Sequence, residues 1–175
     1  RRKQLLEVQP NPAHRAIADL EQVVNVRVVT QNIDDLHERA GSSEVLHLHG
    51  ELRKSESSGN KNLVYPIEGW ELNMGMCCEE GHQLRPHVEW FGEMVPKMAE
   101  AEELVRQADF LLVIGTSLNV YPAAGLVTWA PAEVPKLIID PQPIELSGVP
   151  NAEQLRCTAT EGMRQVRDFL LKKER

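Results

Sequence analysis

Cysteine, long apolar runs and excess positive charge are all scarce in this sequence, and each scarcity removes a class of protein. The three cysteines, Cys77, Cys78 and Cys157, are odd in number and form no disulfide framework, so a reducing cytoplasm is their simplest home. No apolar run approaches the ~20 residues that cross a bilayer, and no signal peptide is visible, so no membrane partner is expected. The net charge of −7 argues against nonspecific binding to nucleic acid and suits a basic peptide as partner. No internal repeat or coiled coil is evident. At 42% hydrophobic and 26% charged residues, the 175-residue chain reads as a folded domain with a real core rather than a disordered one.

What is present is organised around residues 23–50. The apolar run of Val23, Val24, Val26, Val28 and Val29 ends abruptly in Thr30, Gln31, Asn32, Asp34, Asp35 and His37. A second run, Val45-Leu46-His47-Leu48, ends in His49-Gly50. Continuous β-branched runs of this kind read as parallel strands buried on both faces, and ligands of open α/β sheets sit beyond the carboxyl ends of such strands. Taken singly, Gln, Asn and Asp after a strand are ordinary turn formers and caps. Together they deliver two amides, a carboxylate and an imidazole to one rim.

The rest of the chain alternates helix and strand. Residues 1–9 read as the end of a helix, and Pro10-Asn11-Pro12 breaks and restarts it, with Asn11 as cap and Pro12 at the first helical position. An amphipathic helix over 13–22 carries Ala16, Ile17 and Leu20 on one face. A short helix over 34–39 stops at Ala40-Gly41, where glycine takes the left-handed conformation. Residues 53–62, RKSESSGNKN, hold no apolar side chain and read as an exposed loop. Helices over 98–108, 122–130 and 160–172 alternate with strands over 109–114 and 136–139. The pattern predicts an α/β fold, a Rossmann-like parallel sheet flanked by helices. Residues 1–50 and 85–175 form its body and residues 51–84 a small inserted lobe.

Several blocks carry a family resemblance. Thr30-Gln31-Asn32-Ile33-Asp34, Leu36-His37, Ala40-Gly41 and His49-Gly50 resemble the signature of the sirtuins, the NAD-dependent protein lysine deacylases. The likeness continues, in the family's order, through Leu84-Arg85-Pro86-His87-Val88, Trp90-Phe91-Gly92-Glu93, Gly115-Thr116-Ser117 and Val120-Tyr121-Pro122-Ala123. It implies that NAD is a cosubstrate and that acylated lysine peptides are the partner. It assigns nicotinamide and ribose contacts to Gln31, Asn32, Ile33 and Asp34, and the general base to His49. A neutral imidazole near pH 7 suits that role, since it can accept a ribose hydroxyl proton. His47 is read as structural, pointing away from His49, and His37 as packing or hydrogen bonding.

The resemblance places a second cofactor contact at Gly115, Thr116 and Ser117, where small residues after a strand let backbone N–H groups approach a phosphate. Asp140, Pro141 and Gln142 end the next strand, where a carboxylate can bind ribose hydroxyls. Ala159 is the expected adenine-side contact, and Cys157 reads as a buried small hydrophobe. Val88 and Phe91 fall in the stretch that binds the substrate peptide by strand addition, with Phe91 lining the acyl-lysine tunnel. Glu89 stands where an apolar residue is usual. Arg1 falls at the Arg of a Tyr-x-x-Arg pair that binds acidic acyl groups such as succinyl, and a guanidinium can hold a carboxylate bidentately.

Two departures qualify the likeness. The family's two Cys-x-x-Cys pairs, a tetrahedral zinc site, are reduced here to adjacent Cys77-Cys78, with Lys54-Ser55-Glu56-Ser57-Ser58-Gly59 in place of the first pair. Zinc is therefore not expected, and the lobe is expected to be held by Leu63, Val64, Tyr65, Ile67, Trp70 and Leu72. The family's opening Gly-Ala-Gly-x-Ser phosphate turn is also absent, so these 175 residues by themselves are expected to bind NAD poorly. Two other readings share the pattern: ADP-ribosyl transfer to protein, and a non-catalytic NAD-binding scaffold.

Overall fold

Asn11 and Pro12 set the start of the first long helix. α1 (Arg2–Glu7) ends at Val8, and α2 (Pro12–Leu20) begins after it. The Asn11 side chain accepts hydrogen bonds from the N–H groups of Ala13 (2.9 Å) and His14 (3.1 Å), while His14 Nδ1 accepts one from the Asn11 N–H (3.2 Å). This reciprocal cap satisfies donors that the first helical turn leaves orphaned. The computed structural model describes residues 1–116, 118 and 121–172.

Only the end of the valine run becomes strand. Val23 and Val24 still donate to Leu20 O (3.0 and 2.9 Å) as the helix unwinds, and β1 is confined to Val28–Thr30. Helical hydrogen bonds at the end of α2 thus claim residues whose side chains alone would suit a strand. After α3 (Leu36–Ala40), closed by Gly41 at φ 109°, β2 (Val45–His47) pairs parallel with β1, so that Thr30 lies opposite His47. Later come α4 (Met98–Arg106), β6 (Leu111–Ile114), a 3-10 helix (Ala123–Trp129), β7 (Lys136–Ile139), β8 (Ala152–Leu155) and α5 (Ala159–Lys172). β6, β7 and β8 form a second parallel sheet in that order. The segment expected to be helical at 122–130 is a 3-10 helix, and β8 has too mixed a sequence, AEQL, to announce itself.

Each parallel sheet is covered by helices. Ala13, Ala16 and Leu20 of α2 pack with Met163 and Val166 of α5 and Ile139 of β7. Gly162 makes this approach possible, because a Cβ there would stand 2.5 Å from Ile139. Leu46 and Leu48 pack with Ala101 of α4 and Ala123 of the 3-10 helix. Small residues at these contacts let helix backbones sit close to the strands. Such apolar cover on parallel strands is the arrangement the residue pattern predicts.

Of residues 53–62, expected as an exposed loop, 58–62 do form a largely exposed turn, whereas 53–57 depart from expectation. Instead of an exposed loop, the chain forms β3 (Gly50–Ser57), which pairs antiparallel with β4 (Val64–Pro66) and β5 (Leu84–Val88) in the order β4-β3-β5. Ser55, Glu56 and Ser57 are 2%, 2% and 0% exposed, so polar side chains form the interior here. Glu56 and Ser57 are tolerated because they have polar partners. The Glu56 carboxylate lies 2.7 Å from His87 Nδ1 and 3.4 Å from Arg85 Nε, and the Cys78 thiol donates to Ser57 Oγ (3.2 Å). Of the six apolar residues expected to hold this region, only Ile67 is buried, while Val64 and Trp70 are exposed. Ion pairs and hydrogen bonds do that work. Replacing Glu56 by Ala should lower unfolding stability by about 3 kcal/mol, because His87 and Arg85 would keep their charge-bearing groups without the buried counter-charge. Urea denaturation of the two proteins measures the difference, and a loss below 1 kcal/mol would contradict the role of this network.

Candidate active site

The β1–β2 ladder creates the site. Both strands run the same way, and the ladder extends past His47 because the Leu48 N–H donates to Thr30 O (2.9 Å). Gln31 and Asn32 therefore leave β1 at the end where His49 leaves β2. From the other side, the Glu89 N–H donates to His49 O (3.0 Å), and Gly50 pairs with Val88 across β3 and β5. His49 sits on the hinge between the amide-bearing loop and the 88–91 stretch. This brings Gln31, Asn32, Ile33, Asp34, His49 and Val88 into one group.

The main chain of that loop is fixed residue by residue while its side chains stay available. The Asn32 N–H donates to Thr30 Oγ1 (3.1 Å), Ile33 O accepts from the Leu52 N–H (2.7 Å), and Asp34 Oδ1 accepts from the Leu36 N–H (3.1 Å). Asn32 is exposed, and Gln31, Asp34 and His49 are half-buried. Groups so placed are oriented yet open to a ligand. Val88 is buried, and Phe91 is fully exposed beside exposed Trp90 and Met94.

The 88–93 stretch is held by charge. Glu93 accepts from Arg85 Nη1 and Nη2 (3.2 Å each) and from the Trp90 N–H (3.0 Å), while Arg85 Nη2 also donates to Val88 O (3.0 Å). The Arg85 guanidinium, with the Trp90 amide, holds the Glu93 carboxyl down at about 2. The loop bearing Trp90 and Phe91 is thereby closed on itself by a bidentate ion pair.

Beneath His49 lies His47, 4% exposed. Its Nδ1 is 3.0 Å from Asn32 O and its Nε2 is 2.7 Å from Glu38 Oε1. Glu51 approaches the same ring, and one ligand-type atom from each of Glu38, His47 and Glu51 lies within 4.8 Å of the others. Two residues apart in a continuous strand, the rings of His47 and His49 would share a face. The strand ends at His47 and a turn follows at Leu48 and His49, so strand alternation does not govern where the His49 ring lies. His37 stacks edge-on against His14, with centroids 4.7 Å apart. Burial pushes both of those imidazoles down, which keeps them neutral near pH 7.

A second group forms at the ends of β6 and β7. Gly115 takes φ 63° with open space where a Cβ would stand, and its N–H donates to Ile139 O (2.9 Å). Thr116 follows it, half-buried; Ser117 lies outside the described residues. Asp140 is buried and uses Oδ1 to accept from the Gln142 N–H (2.8 Å), closing a turn in which Pro141 and Gln142 are exposed. Ala159 opens α5 half-buried against the core, beside Cys157, whose thiol burial pushes up. Arg1 belongs to neither group and lies exposed at the cap of α1. Its neighbour Arg2 instead donates to Leu52 O (2.7 Å) and Trp70 O (2.8 Å).

A dinucleotide suits this donor set: an open glycine turn, hydroxyl and carboxylate groups at strand ends, and exposed amides beside an imidazole. Four-thiolate zinc binding does not, since Cys77 is exposed, Cys78 is bonded to Ser57, and β3 offers serine and glutamate. Two ionic arrangements escaped the sequence reading. These are the Glu56–His87–Arg85–Glu93 network and the His47–Glu38 pair, and their only signal was charge placed inside strand-like segments.

A parallel α/β chain whose strand ends gather these groups is of the dinucleotide-binding class. The Sir2 family profile matches residues 1–122. The chain belongs to the Sir2 family. It is 47% identical over 176 residues to an NAD-dependent protein deacylase of Bacteroides thetaiotaomicron, covering 98% of this chain and 75% of that one. It is 54% identical over 142 residues to an NAD-dependent protein deacylase of Helicobacter pylori, covering 81% of this chain but only 62% of the relative. Among solved structures, a Sir2 homologue in complex with NAD superposes with a TM-score of 0.87 at 36% identity, over 98% of this chain and 68% of the other. Sir2Tm bound to a propionylated peptide superposes with a TM-score of 0.81 at 29% identity, over 95% and 73%.

Gly50 is where the site tolerates no side chain. Its φ is 81°, and a Cβ would stand 2.3 Å from His87 O. Gly50→Ala should cost about 2 kcal/mol or more in unfolding free energy, from left-handed strain and from separation of β3 and β5. A thermal melt within 2 °C of the parent would contradict this reading of the hinge.

Proposed function

We propose that the protein removes acyl groups from lysine side chains of other proteins, consuming NAD and releasing nicotinamide and an acyl-ADP-ribose. The observation that carries this is the single rim holding Gln31, Asn32 and Asp34 beside His49, within a chain of the Sir2 family. Relatives that bear the name NAD-dependent protein deacylase, and solved relatives described with NAD and with a propionylated peptide, support it.

The residues divide the work. NAD supplies a ribose C1′ made electrophilic as its bond to nicotinamide breaks. Gln31, Asn32 and Asp34 hold the carboxamide and offer oxygen atoms to the positive charge that develops on the ribose, where fixed dipoles act without reorganising. His49 takes a proton from a ribose hydroxyl and so frees that oxygen to attack. Gly115, Thr116 and Ser117 bind phosphate, Asp140 with Pro141 and Gln142 binds ribose, and Ala159 borders the adenine. Residues 51–84 are read as a small lobe set into the body formed by 1–50 and 85–175.

The acylated peptide enters as an added strand along residues 88–91, and Phe91 covers the acyl-lysine chain. The acyl group is acetyl or another acyl, succinyl included; Arg1, which the resemblance ties to acidic acyl chains, lies exposed outside both residue groups. The described residues contain no helix long and apolar enough to cross a membrane. The peptide and the cofactor are thus the partners of this reading.

His49→Ala in the full-length protein should reduce acyl release from an acetyl-lysine peptide by at least about 100-fold. Mass spectrometry of the products, with nicotinamide and acyl-ADP-ribose followed together, measures it. Unchanged acyl release by the variant, or ADP-ribosylated protein as the sole product of the parent, would refute the assignment.

A further inference from the structure

We propose that His47 is a positioning residue whose doubly protonated ring clamps the Asn32 carbonyl to Glu38 and so holds the Gln31–Asp34 loop in its NAD-binding form. The clamp deepens the NAD reading above and rests on it for its consequence, though not for its chemistry.

The chemistry follows from the two partners. Asn32 O, 3.0 Å from Nδ1, is a carbonyl and only accepts. Glu38 Oε1, 2.7 Å from Nε2, belongs to a carboxylate and, when ionised, also only accepts. A neutral imidazole has one N–H and can serve one of them. Serving both requires the imidazolium, with two donors pointing in opposite directions.

The surroundings favour that charge. Glu38 of α3 and Glu51 of β3 face the ring; Lys54 of β3 is paired with Glu51 at 2.6 Å, and His37 of α3 is nearby but kept neutral. Burial by itself would lower the His47 pKa, but the hydrogen bonds to Glu38 and Asn32 and the two carboxylates outweigh it and raise the value above 6.5. For Glu38, burial pulls upward, but the hydrogen bond from His47, the Glu38 main-chain N–H and the nearby imidazoles together pull further downward, so its carboxylate stays ionised. The sign is fixed by the raised folded value of His47. The clamp is complete below the ordinary imidazole range and is lost as pH rises through that raised value.

Loss falls on the cofactor loop. The neighbouring restraints on residues 32–34 come from the Thr30 hydroxyl, the Leu52 N–H and the bond from the Leu36 N–H to the Asp34 side chain, none of which involves an imidazole. The Asn32 carbonyl, by contrast, is held by a titratable side chain, that of His47. Above the His47 pKa, one of the two acceptors loses its donor, and the exposed Asn32 amide swings with its main chain.

The test reads the ring and the loop separately from turnover. Histidine side-chain nitrogen NMR of this chain should show both His47 nitrogens protonated at pH 6. The Asn32 and Ile33 amides should shift with the same midpoint as the ring. Glu38→Gln, which keeps shape and removes charge, should move that midpoint below 6.5, with the remaining amide spectrum unchanged as the check on folding. In the full-length protein, KM for NAD should rise about tenfold across the parent's midpoint at constant kcat, and in Glu38→Gln the rise should move to lower pH. A neutral His47 at pH 6, loop amides that ignore its titration, or a KM that stays flat through the midpoint would each overturn the proposal. Coupled titration of ring and loop with no NAD-dependent turnover at all would instead overturn the enzymatic reading and leave the clamp standing.

Discussion

Thr30 opposite His47 is the pairing on which the rest depends. Parallel strands deliver their C-terminal residues to one edge, and the bond from Leu48 to Thr30 carries the register one residue beyond the strand. A slip by one residue would turn His47 outward and put Leu48 under the loop, exchanging a charged anchor for an apolar one. Everything that follows Thr30 and His47 inherits its position from this ladder. The bond from Glu89 to His49 then passes the same register on to the 88–91 stretch.

Charge does for the antiparallel sheet what apolar packing does for the parallel ones. Glu56, 2% exposed, stands where a hydrophobic residue would ordinarily sit, and it is stabilised only because His87 and Arg85 converge on it. Arg85 then reaches onward to Glu93, which gathers the Trp90 amide. A chain of fixed electrostatic contacts therefore runs from the interior of β3 to the exposed loop. Directional bonds specify geometry more tightly than apolar contact does, at the cost of desolvating each partner. That trade suits a segment whose task is to present Trp90 and Phe91 in one orientation.

The sequence made some of this legible and hid the rest for identifiable reasons. Asn11-Pro12 and Gly41 announced their helix ends because capping is local chemistry. The apolar runs announced β2, β6 and β7. In RKSESSGNKN the turn at 58–62 was legible, but RKSES misled because polarity reports solvent only when no buried partner exists, and the partners of Glu56, Arg85 and His87, lie some thirty residues away. The lobe's apolar residues misled in the converse way: Trp70 is exposed, with Lys3 over its ring at 5.7 Å, where core packing was expected. Among the site residues, strand ends were readable from the run boundaries, whereas the state of each histidine was not. That state depends on which acceptors the fold supplies.

Four histidines on or near this site show how completely the acceptors decide. His14 receives a hydrogen bond at Nδ1 from the Asn11 N–H, which requires a lone pair there and hence a neutral ring. His37, packed against it and away from any acceptor for its buried Nδ1, is likewise neutral. His47 meets two acceptors and no donor, which selects the cation. His49 stands half-buried on a hinge, with its main chain engaged by Glu89. A proton acceptor needs a free lone pair and access to the ligand, and of the four rings only one that is not already committed by its neighbours can offer both. The two acceptors at His47 thus commit that ring to supporting the loop rather than to exchanging protons with a ligand.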